Sequence, residues 1–419
     1  MRRKNLLALL VLLMTMSVSS TITACGGDDD PVETPAPVDQ TGTDDQKDNT
    51  GTGQKNPDDD NSGQGGAETS VSRYVGGDIS MLTKYEEQRA AYADVNGKAV
   101  SNMLDFLKEQ GWNTMRVRLF VDPSKDTDKA VCQDLAYVKA LGKRIKDAGL
   151  QLMLDFHYSD TWADPGKQWT PDAWKSMTNE ELYEQIYTYT KDCLQQMVAA
   201  GATPDLIQTG NEISYGMMWG TKAAAENNNT NRCYTNSPAA NWTRFTTLLK
   251  QAGKACREVC PKAKIIIHSE RTPKPDVLID FFDRMKTAQI DYDIIGLSYY
   301  PYFHGSLSAL DTALKRLEAK NYGKQIQVVE TGYTSQYAIG DNDYSAVYPI
   351  TPEGQRKFTA DLVSLLKQHA QVNGLLWWYP EANAKGCTGN LSIEWYNAGL
   401  FDNNTSRALP ALNELKNFK

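Results

Sequence analysis

From about residue 70 onward, short apolar runs rich in Val, Ile and Leu alternate with longer stretches whose apolar residues return at helical spacing. Eight of the short runs read as buried strands: 74–80, 114–120, 150–157, 206–212, 264–269, 294–300, 326–330 and 374–379. Between them the spacing predicts helices, among them 99–110, 136–148, 182–200, 245–259, 307–319 and 353–369. Gly111, Gly149 and Gly201 follow three of these at the position where a left-handed residue ends a helix. Strands alternating with helices predict a parallel sheet, and eight such units close into a (β/α)8 TIM barrel spanning 70–419. The surplus length follows the third, fourth, seventh and eighth strands, on the face where such barrels place their active site.

The first part of the chain follows neither pattern. Residues 1–24 run from basic Arg2, Arg3 and Lys4 through an apolar stretch to small and polar residues, an export signal too short to span a bilayer. Cys25 closes Ile22-Thr-Ala-Cys25, which resembles a bacterial lipoprotein box with Cys25 as the lipidated residue; a plain secretory signal is the alternative. Residues 25–69 hold Gly, Asp, Pro, Thr, Asn and Gln with almost no large apolar side chain, so they cannot offset the entropy of ordering and read as a flexible tether. The acidic start of that tether, Gly26-Gly-Asp-Asp-Asp30, resembles the signal that carries Bacteroidota lipoproteins to the cell surface. A monomer anchored in the outer membrane is expected, with a periplasm-facing anchor as the other possibility.

A net charge of -8 argues against a nucleic-acid partner and fits a neutral one. The 21 Tyr and 9 Trp against 10 Phe favour rings that carry a polar handle. Beyond Cys25 there remain Cys132, Cys193, Cys233, Cys256, Cys260 and Cys387, none at zinc-site spacing. Disulfides are permitted in an exported protein, and Cys233 with Cys387, both in loops of the active face, is the favoured pair.

The chemistry collects at the strand ends. Asp205-Leu-Ile-Gln-Thr-Gly-Asn-Glu212 and Gln325-Ile-Gln-Val-Val-Glu330 each finish a β run with a glutamate. On strands four and seven of eight, Glu212 and Glu330 face each other across the mouth, the arrangement that glycosidic hydrolysis requires. One must be protonated and the other ionised, which needs unlike surroundings. Arg116 and Arg118 share one face of the second strand, and either can hold Glu330 ionised. Asp155 and His157 share a face of the third, with Trp162 in the loop beyond. Asn211 precedes Glu212 and suits a sugar hydroxyl, Tyr299 or Tyr300 can donate to the nucleophile, and an indole of Trp377-Trp378 can floor the sugar.

Taken in order, Tyr-Val-Gly-Gly-Asp-Ile-Ser at 74–80, Arg116-Val-Arg118, Asp-Phe-His-Tyr-Ser-Asp-Thr-Trp-Ala-Asp-Pro at 155–165, Gly-Asn-Glu at 210–212, Ser-Tyr-Tyr-Pro at 298–301 and Glu-Thr-Gly at 330–332 resemble glycoside hydrolase family 53. The resemblance implies a retaining endo-β-1,4-galactanase acting on the galactan side chains of pectin, without an organic cofactor. It implies Glu212 as acid/base, Glu330 as nucleophile, Arg116 as the nucleophile's holder, and Asp155, His157, Asn211, Tyr299 and Trp378 around the sugar. Three departures stand out: Tyr379 where Glu is expected after Trp378, Phe120 where Trp is expected, and Ser345 in place of His in the run Asp341-Asn-Asp343-Tyr-Ser345. Bacterial members often hold calcium with that run, so Asp341 and Asp343 are candidate ligands, although Asp, Asn and Ser are also ordinary turn residues. Another clan A activity, on mannan or xylan, and a surface glycan-binding protein on an inactive barrel are the competing readings.

Overall fold

The computed structural model describes residues 73–222, 231–340, 342–385, 391 and 397–419. Eight parallel strands form a closed barrel in strict sequence order: β1 Tyr74–Asp78, β2 Thr114–Leu119, β3 Gln151–Phe156, β4 Leu206–Thr209, β5 Lys264–Ser269, β6 Ile294–Tyr299, β7 Gln325–Thr331 and β8 Val372–Trp378. Each lies within two or three residues of its expected bounds; β4 ends at Thr209, three residues short of Glu212. Helices follow every strand, the longest being Asn179–Ala199 and Ala239–Val259. Gly111, Gly149 and Gly201 all take positive φ (90°, 72° and 74°), as the helix stops predict. The segment Asn179–Ala199 starts with a complete capping box, Thr178 with Glu181, which satisfies two otherwise orphaned N–H groups.

Strand parity sorts the chain into two apolar compartments. Met153, Leu206, Ile266, Ile294, Val329 and Leu376 pack inside the barrel. Residues of opposite parity, such as Val117, Leu154, Ile207, Ile267 and Val328, join the much larger layer between strands and helices. Above the inner apolar plug the same inward parity continues with polar side chains: Asp78, Arg116, Arg118, Asp155, Gln208 and His268, all buried. This stacking places the polar layer at the C-terminal ends of the strands.

Two local irregularities break the parity. Between β6 and β7 the register runs from Leu297↔Val328 to Ser298↔Glu330, so β7 carries one extra residue there. Val329 packs inward, and the bulge turns its neighbour Glu330 inward as well, where strict alternation would send it to the helices. After β4, Gly210 (φ 102°) and Glu212 (φ 48°) make a left-handed turn that brings the Glu212 side chain back over the barrel mouth. A Cβ at position 210 would meet Ile213 at 2.7 Å, so both space and φ demand glycine.

Candidate active site

Arg116 sits fully buried at the centre of the polar layer. Its Nη1 bonds Asp78 Oδ2 at 3.0 Å; its Nη2 lies 2.8 Å from Asp155 Oδ2, from Asn211 Oδ1 and from Glu330 Oε1. Arg118, on the same face, reaches Asp78 Oδ1 at 3.2 Å, Tyr379 Oη at 2.9 Å and the Ala130 carbonyl at 3.0 Å. Two buried guanidinium groups thus meet three carboxylates, those of Asp78, Asp155 and Glu330. Burial alone would lower the Arg116 pKa, but Asp155, Glu330 and Asp78 together raise it above the ordinary value, so this cation is permanent.

The surplus of negative charge falls on Glu330. Burial pushes its carboxyl up to about 7, with Arg116 pulling down and Asp155 and Asp78 pushing further up. The Tyr300 hydroxyl donates to Glu330 Oε2 at 3.2 Å and favours the ionised form. Tyr300 is therefore the tyrosine in the site. Tyr299, one residue earlier and of opposite parity, points to the helix layer, where its hydroxyl donates to the Gly305 carbonyl at 2.9 Å and its ring stacks on Phe358. The expectation of Tyr299 beside the sugar is corrected on that ground.

Asp155 is held below the usual carboxylate range: burial raises it, but Arg116 and His157 outweigh that effect. It accepts from Gln208 Nε2 at 2.5 Å and lies 3.1 Å from His157 Nε2. The Ala163 N–H donates to His157 Nδ1 at 3.0 Å, which assigns the imidazole proton to Nε2, facing Asp155. Asn211 donates from Nδ2 to the Ala163 carbonyl at 2.8 Å, joining the β3 and β4 loops. Trp162 and Trp378 lie 6.1 Å apart, and the Arg118 guanidinium sits 4.5 Å from the Trp162 ring and 5.5 Å from that of Trp378. The two departures from the family pattern fill this wall: Tyr379 binds Arg118, and Phe120 packs edge-on against His157 and Trp162.

Glu212 is buried beyond the end of β4, and its Oε1 accepts from the Ser298 hydroxyl at 2.5 Å. Because Ser298 is paired in register with Glu330, this one residue of β6 lies between the two glutamates, with its side chain on the first and its backbone beside the second. Gln168 Nε2 supports the turn by bonding the Asn211 carbonyl at 2.7 Å. Asp78, Gln208, His268 and Ser298 were not singled out from sequence. The signal was present for three of them: Gln208 shares the parity of Leu206, His268 that of Ile266 and Ser298 that of Ile294, polar residues two or four places beyond an inward apolar one.

Of the remaining expectations, Cys25 and the tether lie outside the described residues, as do Asp341 and Cys387. Cys233 is a buried free thiol, its pKa pushed up to about 12 by burial. Asp343 accepts from the Ser345 N–H at 2.8 Å, a turn closure, and among the described residues no three acidic, His or Cys side chains gather as a metal site requires.

A closed parallel barrel whose mouth holds one guanidinium-paired and one hydroxyl-tied glutamate, across three strand steps, is equipped as a two-carboxylate glycosidase. Comparison with known proteins specifies which kind: the family model for Glycosyl hydrolase family 53 matches residues 74–415, and the chain belongs to that family. It is 34% identical over 339 residues to a probable arabinogalactan endo-β-1,4-galactanase A of Neosartorya fischeri, covering 77% of this chain and 89% of that protein. An arabinogalactan endo-β-1,4-galactanase of Cellvibrio japonicus is 31% identical over 356 residues, covering 81% and 89%. Among solved structures, the family 53 catalytic domain of Ignisphaera aggregans superposes with a TM-score of 0.72 at 32% identity, covering 83% of this chain and 97% of that one.

Proposed function

We propose that the protein is an endo-acting, retaining galactanase that cleaves β-1,4-galactosidic bonds in type I arabinogalactan. The observation that carries this reading is the pairing of Glu330 with Arg116 and Tyr300 opposite a Glu212 tied to Ser298, in a chain whose relatives in Neosartorya fischeri and Cellvibrio japonicus are named galactanases. Glu330 attacks the anomeric carbon and forms a glycosyl ester while Glu212 gives its proton to the departing glycosidic oxygen. Glu212, now a carboxylate, takes a proton from water, which opens the ester and returns Glu330 as a carboxylate. Arg116 and the Tyr300 hydroxyl stabilise Glu330 in its charged form at both ends of that cycle. Trp378 and Trp162 supply apolar faces for the sugar ring.

Linear β-1,4-galactan incubated with purified protein, beside mannan and xylan, tests the substrate. Mid-sized galacto-oligosaccharides released early by the wild type, and lost in Glu212→Gln and Glu330→Gln, are the expected result; cleavage of mannan or xylan in preference to galactan would reassign the substrate. The anchor is part of the same reading and rests on the Ile22-Thr-Ala-Cys25 run and the acidic tether after it. Radiolabelled palmitate incorporated by the wild type and not by Cys25→Ser supports lipidation, and removal of galactanase activity by protease treatment of intact cells supports the outer face of the membrane. Unlabelled wild-type protein would sink the anchor without touching the galactanase.

A further inference from the structure

Glu212 is gripped from behind by two residues that no comparison assigns. Ser298 on β6 is fully buried and donates to Glu212 Oε1 at 2.5 Å. His268 on β5 is fully buried as well, and its Nε2 lies 2.9 Å from Ser298 Oγ. Its Nδ1 lies 3.3 Å from the Glu212 N–H. The same imidazole thus holds the backbone of Glu212 directly and its side chain through one hydroxyl.

The polarity of this chain follows from what each atom can do. The Glu212 carboxylate only accepts, so the Ser298 hydroxyl gives its one hydrogen to Oε1 and its Oγ accepts from Nε2–H, which leaves Nδ1 of the neutral ring facing the Glu212 N–H as an acceptor. Nε2–H then donates to Ser298 Oγ, which turns the serine hydrogen toward Glu212 Oε1. Asn211 Oδ1, 3.0 Å from Nδ1, takes its hydrogen bonds elsewhere, from Arg116 Nη2 at 2.8 Å and Gln208 Nε2 at 3.2 Å. The charged or titratable groups that act on the imidazole are Arg116, Asp155, His157 and His304. Burial and the Arg116 charge push His268 well below the ordinary histidine range, so the ring stays neutral and its polarity does not reverse during the reaction.

We propose that His268 and Ser298 are positioning residues for the acid/base: they hold Glu212 in its left-handed turn and keep a hydroxyl donor fixed on Oε1, so that the transferable proton is carried on Oε2. The donor stabilises the carboxylate left after the leaving group has taken its proton, and the same carboxylate when it acts as base. This inference rests on the assignment of Glu212 as acid/base.

The test compares two substrates of the same sugar through kcat/KM, which reports the step in which the leaving group departs. Dinitrophenyl β-galactobioside needs no proton on its leaving group, whereas a galacto-oligosaccharide does. Ser298→Ala is expected to lower kcat/KM for the oligosaccharide by roughly 10- to 100-fold while changing the dinitrophenyl substrate by less than about 3-fold. Loss of a donor to the charged form raises the Glu212 pKa, so the basic limb of the oligosaccharide profile moves to higher pH. Ser298→Thr, which keeps the hydroxyl, restores both, and His268→Gln reproduces the alanine pattern in weaker form. Equal losses on both substrates with an unmoved basic limb would overturn the proposal and leave Ser298 a purely structural residue. Should the wild type prove not to take galactan, the substrate reading fails by itself, and the same ratio measured on activated and unactivated glycosides of the sugar it does take still decides the relay.

Discussion

Arg116 touches both glutamates of the proposed catalytic pair, Glu330 directly and Glu212 through the neighbouring amide of Asn211. Its removal strands Asp78, Asp155 and Glu330 as buried carboxylates without their shared cation, a change of about 3–5 kcal/mol for a single broken buried pair. Arg116→Met is therefore expected to lower the melting temperature together with the activity, which calorimetry and galactan assays would show on one sample. The pH dependence follows from Glu330. As the proposed nucleophile it must be ionised, and burial pushes its carboxyl up to about 7, so kcat/KM should be lost as pH falls through neutrality. Tyr300→Phe removes a donor to the charged form and should move this acidic limb upward by about one unit, with kcat falling roughly tenfold. An unmoved acidic limb in Tyr300→Phe would show that the hydroxyl does not bear on the nucleophile.

Two distorted elements aim the two glutamates, and each can be challenged by one substitution or deletion. Gly210→Ala forces a side chain into a φ of 102° and against Ile213, at a cost of about 1–3 kcal/mol, and displaces the turn that carries Glu212. Lower kcat with little change in KM is the expected result, since the proposed acid/base moves and the Trp162–Trp378 pair does not. Deleting Val329 removes the extra residue of β7, so Glu330 directly follows outward-facing Val328 and keeps its inward place opposite Ser298, while the inner apolar plug loses one side chain. A less stable barrel that keeps activity, read by circular dichroism and galactan assay, is the prediction; a folded but inactive barrel would show that the bulge itself sets the Glu330 geometry. A third device stitches the β7 and β8 loops. Asn397 is fully buried, and its Oδ1 accepts from the N–H groups of Ser335, Gln336 and Tyr337 while its Nδ2 donates to the Tyr337 carbonyl. This amide holds exposed Tyr337 at a defined place on the active face.

At the scale of the whole molecule, the barrel is closed by β8 pairing with β1, and the C-terminal residues brace the seam. Leu412, Leu415 and Phe418 are completely buried, and Arg73 Nη1 donates to the Phe418 carbonyl at 2.7 Å. Each such side chain contributes about 1.5–3 kcal/mol by burial, so deleting residues 410–419 removes much of a net stability of about 5–15 kcal/mol. The truncated chain is expected to lose its cooperative melt.

The eight strands were legible because a strand buried on both faces must be apolar almost throughout, and the glycines after the helices because only a left-handed residue ends them there. Glu330, Arg116 with Arg118, and Asp155 were legible because each lies on a strand at the active face, and Glu212 and His157 because each follows a strand end within three residues. Those local signals fixed the order of the elements and the residue types brought to the mouth. Tertiary structure alone decided that Tyr300 and not Tyr299 reaches Glu330, because that depends on which face of β6 turns inward. It also decided that Ser298 and His268 stand behind Glu212. Those outcomes depend on the β7 bulge and on the register between neighbouring strands, which are settled by packing across the barrel and leave no mark in the order of residues along any one strand.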